Sequence, residues 1–169
     1  EIIETIRIRP THQNIMYPGF GVGGYCLTKD PLLASWSSKT FFNHERLYQS
    51  ENAVRVNDLM PLHTFTKIVE EGFNNPKILV LGISYLKNIG DLRYAPFLKI
   101  ESKLKELTET LHVYDPLIEK TEYPSVDLEF ILNNMCDVVL IGCPHDCFFD
   151  DAIIEKVLSN NIKATVVDP

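Results

Sequence analysis

Two hydrophobic periods divide the chain. Between His44 and Phe73, the apolar positions Leu47, Val54, Leu62, Phe65, Ile68, Val69 and Phe73 return at near-helical spacing with charges between them. That pattern predicts a long helix with one buried face, or two helices end to end, because Pro61 falls inside it. Asn74, Asn75 and Pro76 close the pattern, and the period then changes. The run KILVLGI is compact, apolar and β-branched, as in a parallel strand covered on both faces. LHVYDP, CDVVLIGC and ATVVDP repeat the signature. Helices are predicted between them through Phe97, Ile100, Leu104 and Leu107, at about Asp127 to Asn133, and at about Asp150 to Leu158. Strand and helix in alternation predict a doubly wound α/β unit whose ligands gather at the carboxyl ends of its strands, where Gly82 to Arg93 falls.

Ahead of the long helix the pattern is weaker. Glu1 to about Ile8 reads as the last turns of a helix, broken by Pro10, with loop from Thr11 to Pro18. Asp30 followed by Pro31 predicts a helix start, an N-cap acceptor with proline at the first helical position, running to about Lys39. Trp36, Phe41 and Phe42 read as packing between helices. The expected organisation is a helical segment, residues 1–74, with a long connecting helix, followed by a Rossmann-like parallel-sheet domain, residues 75–169. The chain starts without methionine inside a helical pattern and stops just after a strand, so both ends read as cut.

Composition narrows the partners. In 169 residues, 45% are hydrophobic and 23% charged, a globular profile, and the net charge of -7 opposes binding to nucleic acid. No apolar run reaches the roughly 18 residues of a membrane span, and the acidic start EIIETIRIR does not resemble a signal peptide. A cytoplasmic setting is expected. The four cysteines, Cys26, Cys136, Cys143 and Cys147, do not form the dense framework of a secreted domain, so reduced thiols are expected. Cys143, His145 and Cys147 in GCPHDC are metal-ligand types without a second ligand pair, which reads as a strand-end turn with no metal.

The segment YPGFGVGGYCLTKDP, Tyr17 to Pro31, carries the most chemistry. Gly19, Gly21 and Gly24 match G-x-G-x-x-G formally, but no buried strand precedes them, as the dinucleotide fingerprint requires. Glycines let a backbone approach a bulky, charged ligand and offer it N–H groups. Cys26, just ahead of a helix start and three residues before Lys29, sits where a thiolate is stabilised by the helix dipole and a cation. The residues alone leave two readings open, a nucleophile or a small packed filler. Asp30 likewise reads as a proton carrier or a helix cap, and Arg93 as a ligand contact or a surface partner of Asp91.

The string PGFGVGGYCLTKDP resembles the catalytic loop of the UDP-glucose/GDP-mannose (nucleotide-sugar 6-) dehydrogenase family. VNDLMP resembles the family's connecting helix, VLGISYLKNIGDLRYAP its first C-terminal strand and nucleotide loop, and VYDP and DVVLIGCPHDCF the strands that follow. The resemblance implies an NAD-dependent oxidoreductase that takes the C6 alcohol of a nucleotide sugar, such as UDP-glucose or UDP-N-acetylmannosamine, to the uronic acid through a cysteine thiohemiacetal and thioester. It implies Cys26 and Asp30 as catalytic. Tyr17, Gly19, Phe20, Gly21, Gly23, Tyr85 and Leu86 are implied as substrate-binding, and Lys29 and Arg93 as NAD-binding. Leu86 stands where the family often has lysine, and Thr28 where many members have proline. Arg9 or His12 matches a basic residue reaching a neighbouring subunit's substrate. The resemblance also implies a homodimer and a role in polysaccharide biosynthesis. It places an N-terminal Rossmann domain with lysine, asparagine and glutamate partners upstream of Glu1, so this stretch alone is not expected to turn over substrate. The alternative is a non-catalytic nucleotide-binding or assembly module of the same fold. Another oxidoreductase with a helical middle domain, such as a hydroxyacid or 6-phosphogluconate dehydrogenase, gives no reason for the cysteine loop.

Overall fold

The computed structural model describes residues 1–15, 17, 19–161 and 163–167. Met16 and Pro18 of the predicted loop, Ile162, and the terminal Asp168 and Pro169 of ATVVDP lie outside the described residues. The β-branched runs form strands β1 (Ile78–Leu81), β2 (Leu111–Tyr114), β3 (Val138–Ile141) and β4 (Thr165–Val167), all parallel, in the order β2-β1-β3-β4. β1 is buried along its whole length, as its unbroken apolar run predicts. Because side chains alternate across a sheet, Ile78 and Val80 join Val138, Leu140 and Val113 on one face, while Leu79, Leu81 and Val139 form the other. Phe97, Ile100 and Leu104 cover the first face, together with Ile68 from the long helix; Ile131, Phe148, Ile153 and Val157 cover the second.

Helices α1 (Ile2–Arg7), α2 (Cys26–Phe41) and α3 (Tyr48–Glu70) precede the sheet, and α4 (Glu101–Leu107), α5 (Leu128–Asn133), α6 (Asp146–Asp150) and α7 (Ile153–Asn160) are interleaved with it. The long apolar pattern is one helix, α3, with Pro61 buried inside it. Lys99 reaches Asp58 of α3, and Lys103 lies over the Phe65 ring at 5.9 Å, so charges fasten α3 along the edge of its apolar contact with the sheet layer. One predicted helix is divided, a 3-10 turn at Pro96–Lys99 preceding α4. The helix predicted from about Asp150 starts instead at Ile153, after Ala152 with φ 52, and the unpredicted short helix α6 begins at Asp146 within the expected strand-end turn.

Two further expectations fail for physical reasons. The helix carrying Asp30 starts at Cys26, not at Asp30, because the chain already turns at Gly24, φ +76, and the Thr28 hydroxyl donates to the Gly24 carbonyl at 2.7 Å. Pro31 therefore lies inside α2, where its ring forfeits one backbone hydrogen bond, and Asp30 is no cap. Trp36, Phe41 and Phe42 are exposed, not packed between helices. Within the contact of α2 with α3, Ser35 is fully buried; it donates to Glu51 Oε1 at 2.5 Å and accepts the Leu47 N–H at 2.9 Å. Trp36 meets Phe41 edge-on at 5.1 Å on the outside, lining an open groove with Leu32, Lys39, Thr40, Arg46 and Glu51.

Candidate functional site

The glycine loop ahead of α2 is held on two sides. Asn57 of α3 makes a two-way clasp on Val22, its Oδ1 accepting the backbone N–H and its Nδ2 donating to the carbonyl, both at 2.7 Å. On the other side the Gly24 N–H donates to the Arg93 carbonyl at 2.9 Å. A β-carbon at Gly23 would lie 2.6 Å from both the Tyr94 carbonyl oxygen and Tyr85 Cβ, and one at Gly24 would lie 2.8 Å from the Tyr85 ring. Only glycine permits this approach, which seats the loop on the segment after β1. Phe20 is buried in the sheet's first core layer. The loop delivers Cys26 as the first residue of α2, with its side chain exposed.

Starting the helix at Cys26 has a chemical consequence. Cys26, Lys29 and Asp30 stand at i, i+3 and i+4 and so share one side of α2. Lys29 Nζ donates to Asp30 Oδ1 at 2.5 Å, and this bond, with the nearby Cys26 and Tyr25 adding to it, holds the ammonium above its ordinary range. Lys29 also lies over the Tyr25 ring at 5.2 Å, and Tyr25 meets Tyr94 edge-on at 5.6 Å. The Arg93 guanidinium is two-thirds exposed and pairs with Asp91 through Nε and Nη2 at 2.6 to 3.1 Å, holding the Asp91 carboxyl below its usual range. The surface pair anticipated for Arg93 is thus formed.

Of the residues singled out in the sequence, Gly23, Cys26, Lys29, Asp30, Tyr85 and the Arg93 backbone are gathered around one loop. Tyr17 is exposed with the Arg7 guanidinium over its ring at 5.0 Å, Gly21 faces Pro96 and Asn57, and Gly19 lies in open space. Leu86 is exposed and bridges to Ile89 across its own turn. Arg9 is exposed, and His12 Nδ1 is engaged by the Thr11 hydroxyl at 2.8 Å. Sequence reasoning missed Asn57, although an asparagine in mid-helix carries a signal, since that residue type disfavours helix interiors. It also missed Tyr94, whose φ of 53 is costly for an aromatic residue and is not legible from residue type.

A second polar cluster lies at the carboxyl ends of β1, β2 and β3. The Asp115 side chain is fully buried, and its Oδ2 accepts from the Ile83 N–H at 2.8 Å, the Ser84 N–H at 3.0 Å and the Ser84 hydroxyl at 2.8 Å. His145 Nε2 is 3.2 Å from the same oxygen, and the Asn88 N–H donates to His145 Nδ1 at 2.9 Å. An imidazole that accepts at Nδ1 carries its proton on Nε2, so His145 is neutral here and donates to Asp115. Burial opposes the Asp115 charge, yet the donors from His145, Ile83, Leu117 and Ser84 prevail and hold it well below the usual carboxylate range. The buried Cys143 thiol is pushed up to about 12 by desolvation and the nearby Asp115.

A family model for the UDP binding domain of the UDP-glucose/GDP-mannose dehydrogenase family matches residues 79–169, more than half of the chain. The chain belongs to that family. It is similar to a UDP-N-acetyl-D-mannosamine dehydrogenase from Methanococcus vannielii, 34% identical over 81% of this chain and 32% of that protein. Among solved structures, the UDP-N-acetyl-mannosamine dehydrogenase from Pyrococcus horikoshii superposes with a TM-score of 0.72 at 24% identity, over 98% of this chain and 39% of that one. The enzyme of the same description from Staphylococcus aureus gives a TM-score of 0.63 at 27% identity, over 92% of this chain and 35% of that one. The chain therefore spans about a third of the length of the curated relatives it matches. Its parallel sheet with flanking helices is the fold of these dehydrogenases. No helix among the described residues is long and apolar enough to cross a membrane.

Proposed function

We propose that this family member is part of an NAD-dependent nucleotide-sugar 6-dehydrogenase that oxidises a UDP-sugar, such as UDP-glucose or UDP-N-acetylmannosamine, at its C6 alcohol to the carboxylate, with Cys26 as nucleophile. The observation that carries the reading is an exposed thiol at the first position of α2, on a glycine loop clamped against the segment after β1, with Asp30 one turn away on the same side. NAD supplies the hydride acceptor for both oxidations. Lys29 and Arg93, exposed cations beside the thiol's loop, fit the phosphates of such a dinucleotide and are the residues proposed to meet it.

In this reading the Cys26 sulfur adds to the carbon of the C6 aldehyde, and its proton passes to the oxygen to give a thiohemiacetal. Loss of hydride from that carbon and of the hydroxyl proton leaves a thioester. Water adds to the thioester carbon, Asp30 takes a proton from it, and the C–S bond breaks to return the thiol and release the carboxylate. Sulfur suits the task because a thiohemiacetal gives up hydride readily and its thioester remains hydrolysable. Tyr17, Gly19, Phe20, Gly21, Gly23, Tyr85 and Leu86 are proposed to wrap the nucleotide sugar. The division into a helical unit, residues 1–74, and a UDP-sugar-binding unit, residues 75–169, belongs to the same proposal, as do a homodimer, a cytoplasmic setting and a role in polysaccharide synthesis.

Leu86, in place of the family's frequent lysine, favours a second reading, a nucleotide-binding or assembly module without chemistry. Alkylation of Cys26 by iodoacetamide at neutral pH, followed by peptide mapping, separates the two. The enzyme reading expects a rate above that of free cysteine and protection by a UDP-sugar. A thiol no faster than free cysteine, without protection, favours the module.

A further inference from the structure

The buried pair at the strand ends is used by no step of the proposed reaction, and apart from the Leu117 N–H on Asp115 Oδ1 its side-chain bonds to other residues run to the segment that supports the cysteine loop. His145 has no exposed surface and packs edge-on against Phe148 at 5.4 Å. Its two ring nitrogens address two parts of one loop, Nε2 reaching Asp115, which holds Ile83 and Ser84, and Nδ1 accepting from Asn88. Asn88 adopts the left-handed φ of 60 and is stitched again to the next residue of the same turn. Its Nδ2 donates to Asp146 Oδ2 at 2.5 Å, and its Oδ1 accepts the Asp146 N–H at 3.0 Å. Lys87 pairs with Asp146 as well. Between these two attachments sits Tyr85, whose ring lies beneath Gly24, and the loop continues to Arg93 and Tyr94, whose carbonyls meet Gly24 and Gly23.

We infer that His145 is a positioning residue, which through Asp115 and the Asn88 N–H fixes the loop from Ile83 to Pro96 in the one shape that seats the glycine loop of Cys26 and receives the nucleotide. The physical basis is that the imidazole is a donor on one side and an acceptor on the other, inside a core where an unmet polar group is heavily penalised. Packing alone asks only for a ring of that size. Positioning asks for an acceptor at Nδ1.

Two variants of the full-length protein separate these roles. His145→Asn places an amide oxygen near the Nδ1 position and can keep Asn88, whereas His145→Gln places its amide near Nε2 and leaves the Asn88 N–H without an acceptor. Amide hydrogen exchange and the Kd for UDP are read in both. The inference expects His145→Gln to raise exchange at Asn88 and Gly24 about tenfold and to weaken UDP binding about tenfold, the scale of one lost buried hydrogen bond. It expects His145→Asn to keep both within about threefold at a similar loss of Tm. Equal changes in the two variants, or none in either, overturn it. The UDP arm rests on the nucleotide-sugar reading above; a wild-type protein that does not bind UDP counts against that reading, and the exchange contrast then decides the role of His145 by itself. Should the Gln variant not fold, Ser84→Ala removes one bond from the loop to Asp115 without removing a ring. It is expected to raise Gly24 exchange about threefold, and no rise overturns the inference.

Discussion

The cysteine loop and the strand-end cluster face each other across the segment from Ile83 to Pro96, and they are built on opposite rules. Around Cys26 the cations are exposed and paired with near neighbours in sequence, Lys29 with Asp30 and Arg93 with Asp91, contacts that water and salt weaken. Around Asp115 the polar groups are fully buried and committed to partners about 30 residues away in sequence. The difference teaches where reactivity and precision are kept. In the proposed reading the groups that exchange protons or meet ligands sit where solvent reaches them, and a buried, mutually bonded network holds the segment behind them.

Breaking the exposed region and breaking the buried one are expected to have different signatures. The largest effect is expected from Cys26→Ser, which in the full-length enzyme lowers carboxylate formation by about a thousandfold or more, measured by product assay. Because that side chain is exposed, Tm is expected to stay within about 2 °C. Asp115→Ala reverses the pattern. It strips the Ile83 and Ser84 N–H groups of their buried acceptor and is expected to lower stability by about 3 kcal/mol in denaturant titration.

The same carboxylate gives a pH dependence with a definite sign. Its folded pKa lies below the unfolded value of about 4, so its stabilisation is complete above that pH and is lost as pH falls toward the folded value. Wild-type stability is expected to fall below about pH 4, and Asp115→Asn to flatten that part of the curve.

Smaller effects are expected at the junction between the regions. Gly24→Ala meets both a positive φ and the Tyr85 ring, and is expected to cost about 1 to 2 kcal/mol and to lower kcat/KM by shifting Cys26. Asn57→Ala removes the clasp on Val22 and is expected to cost about 1 kcal/mol, with a faster-exchanging Val22 amide.

The parallel sheet was legible because its strands are unbroken β-branched runs, a pattern that local sequence carries in full. The cysteine loop stood out because its glycines allow a close backbone approach, which Gly23 and Gly24 make against Tyr85 and Tyr94, and because it resembles the family's catalytic loop; the residues alone left the role of Cys26 open. What escaped depends on distant partners. Nothing near Asp115 in VYDP announces that His145 will donate to it, and nothing in Tyr94 announces a left-handed backbone. The misplaced start of α2 is a contest between local signals, in which the turn at Gly24 with the Thr28 hydroxyl prevails over Asp30 and Pro31. Trp36, Phe41 and Phe42 show that apolar type predicts burial only where a neighbour arrives, and within the contact of α2 with α3 it is Ser35 that is fully buried.

The central claim is that the Cys26 sulfur carries the substrate's C6 carbon between the two oxidations. Rapid quenching of the full-length enzyme during turnover with NAD and a UDP-sugar, with mass spectrometry of the Cys26 peptide, observes this directly. An acyl adduct of the sugar nucleotide on Cys26, appearing and decaying with carboxylate formation, is predicted. Carboxylate formed at the normal rate with the Cys26 peptide unmodified throughout contradicts the account.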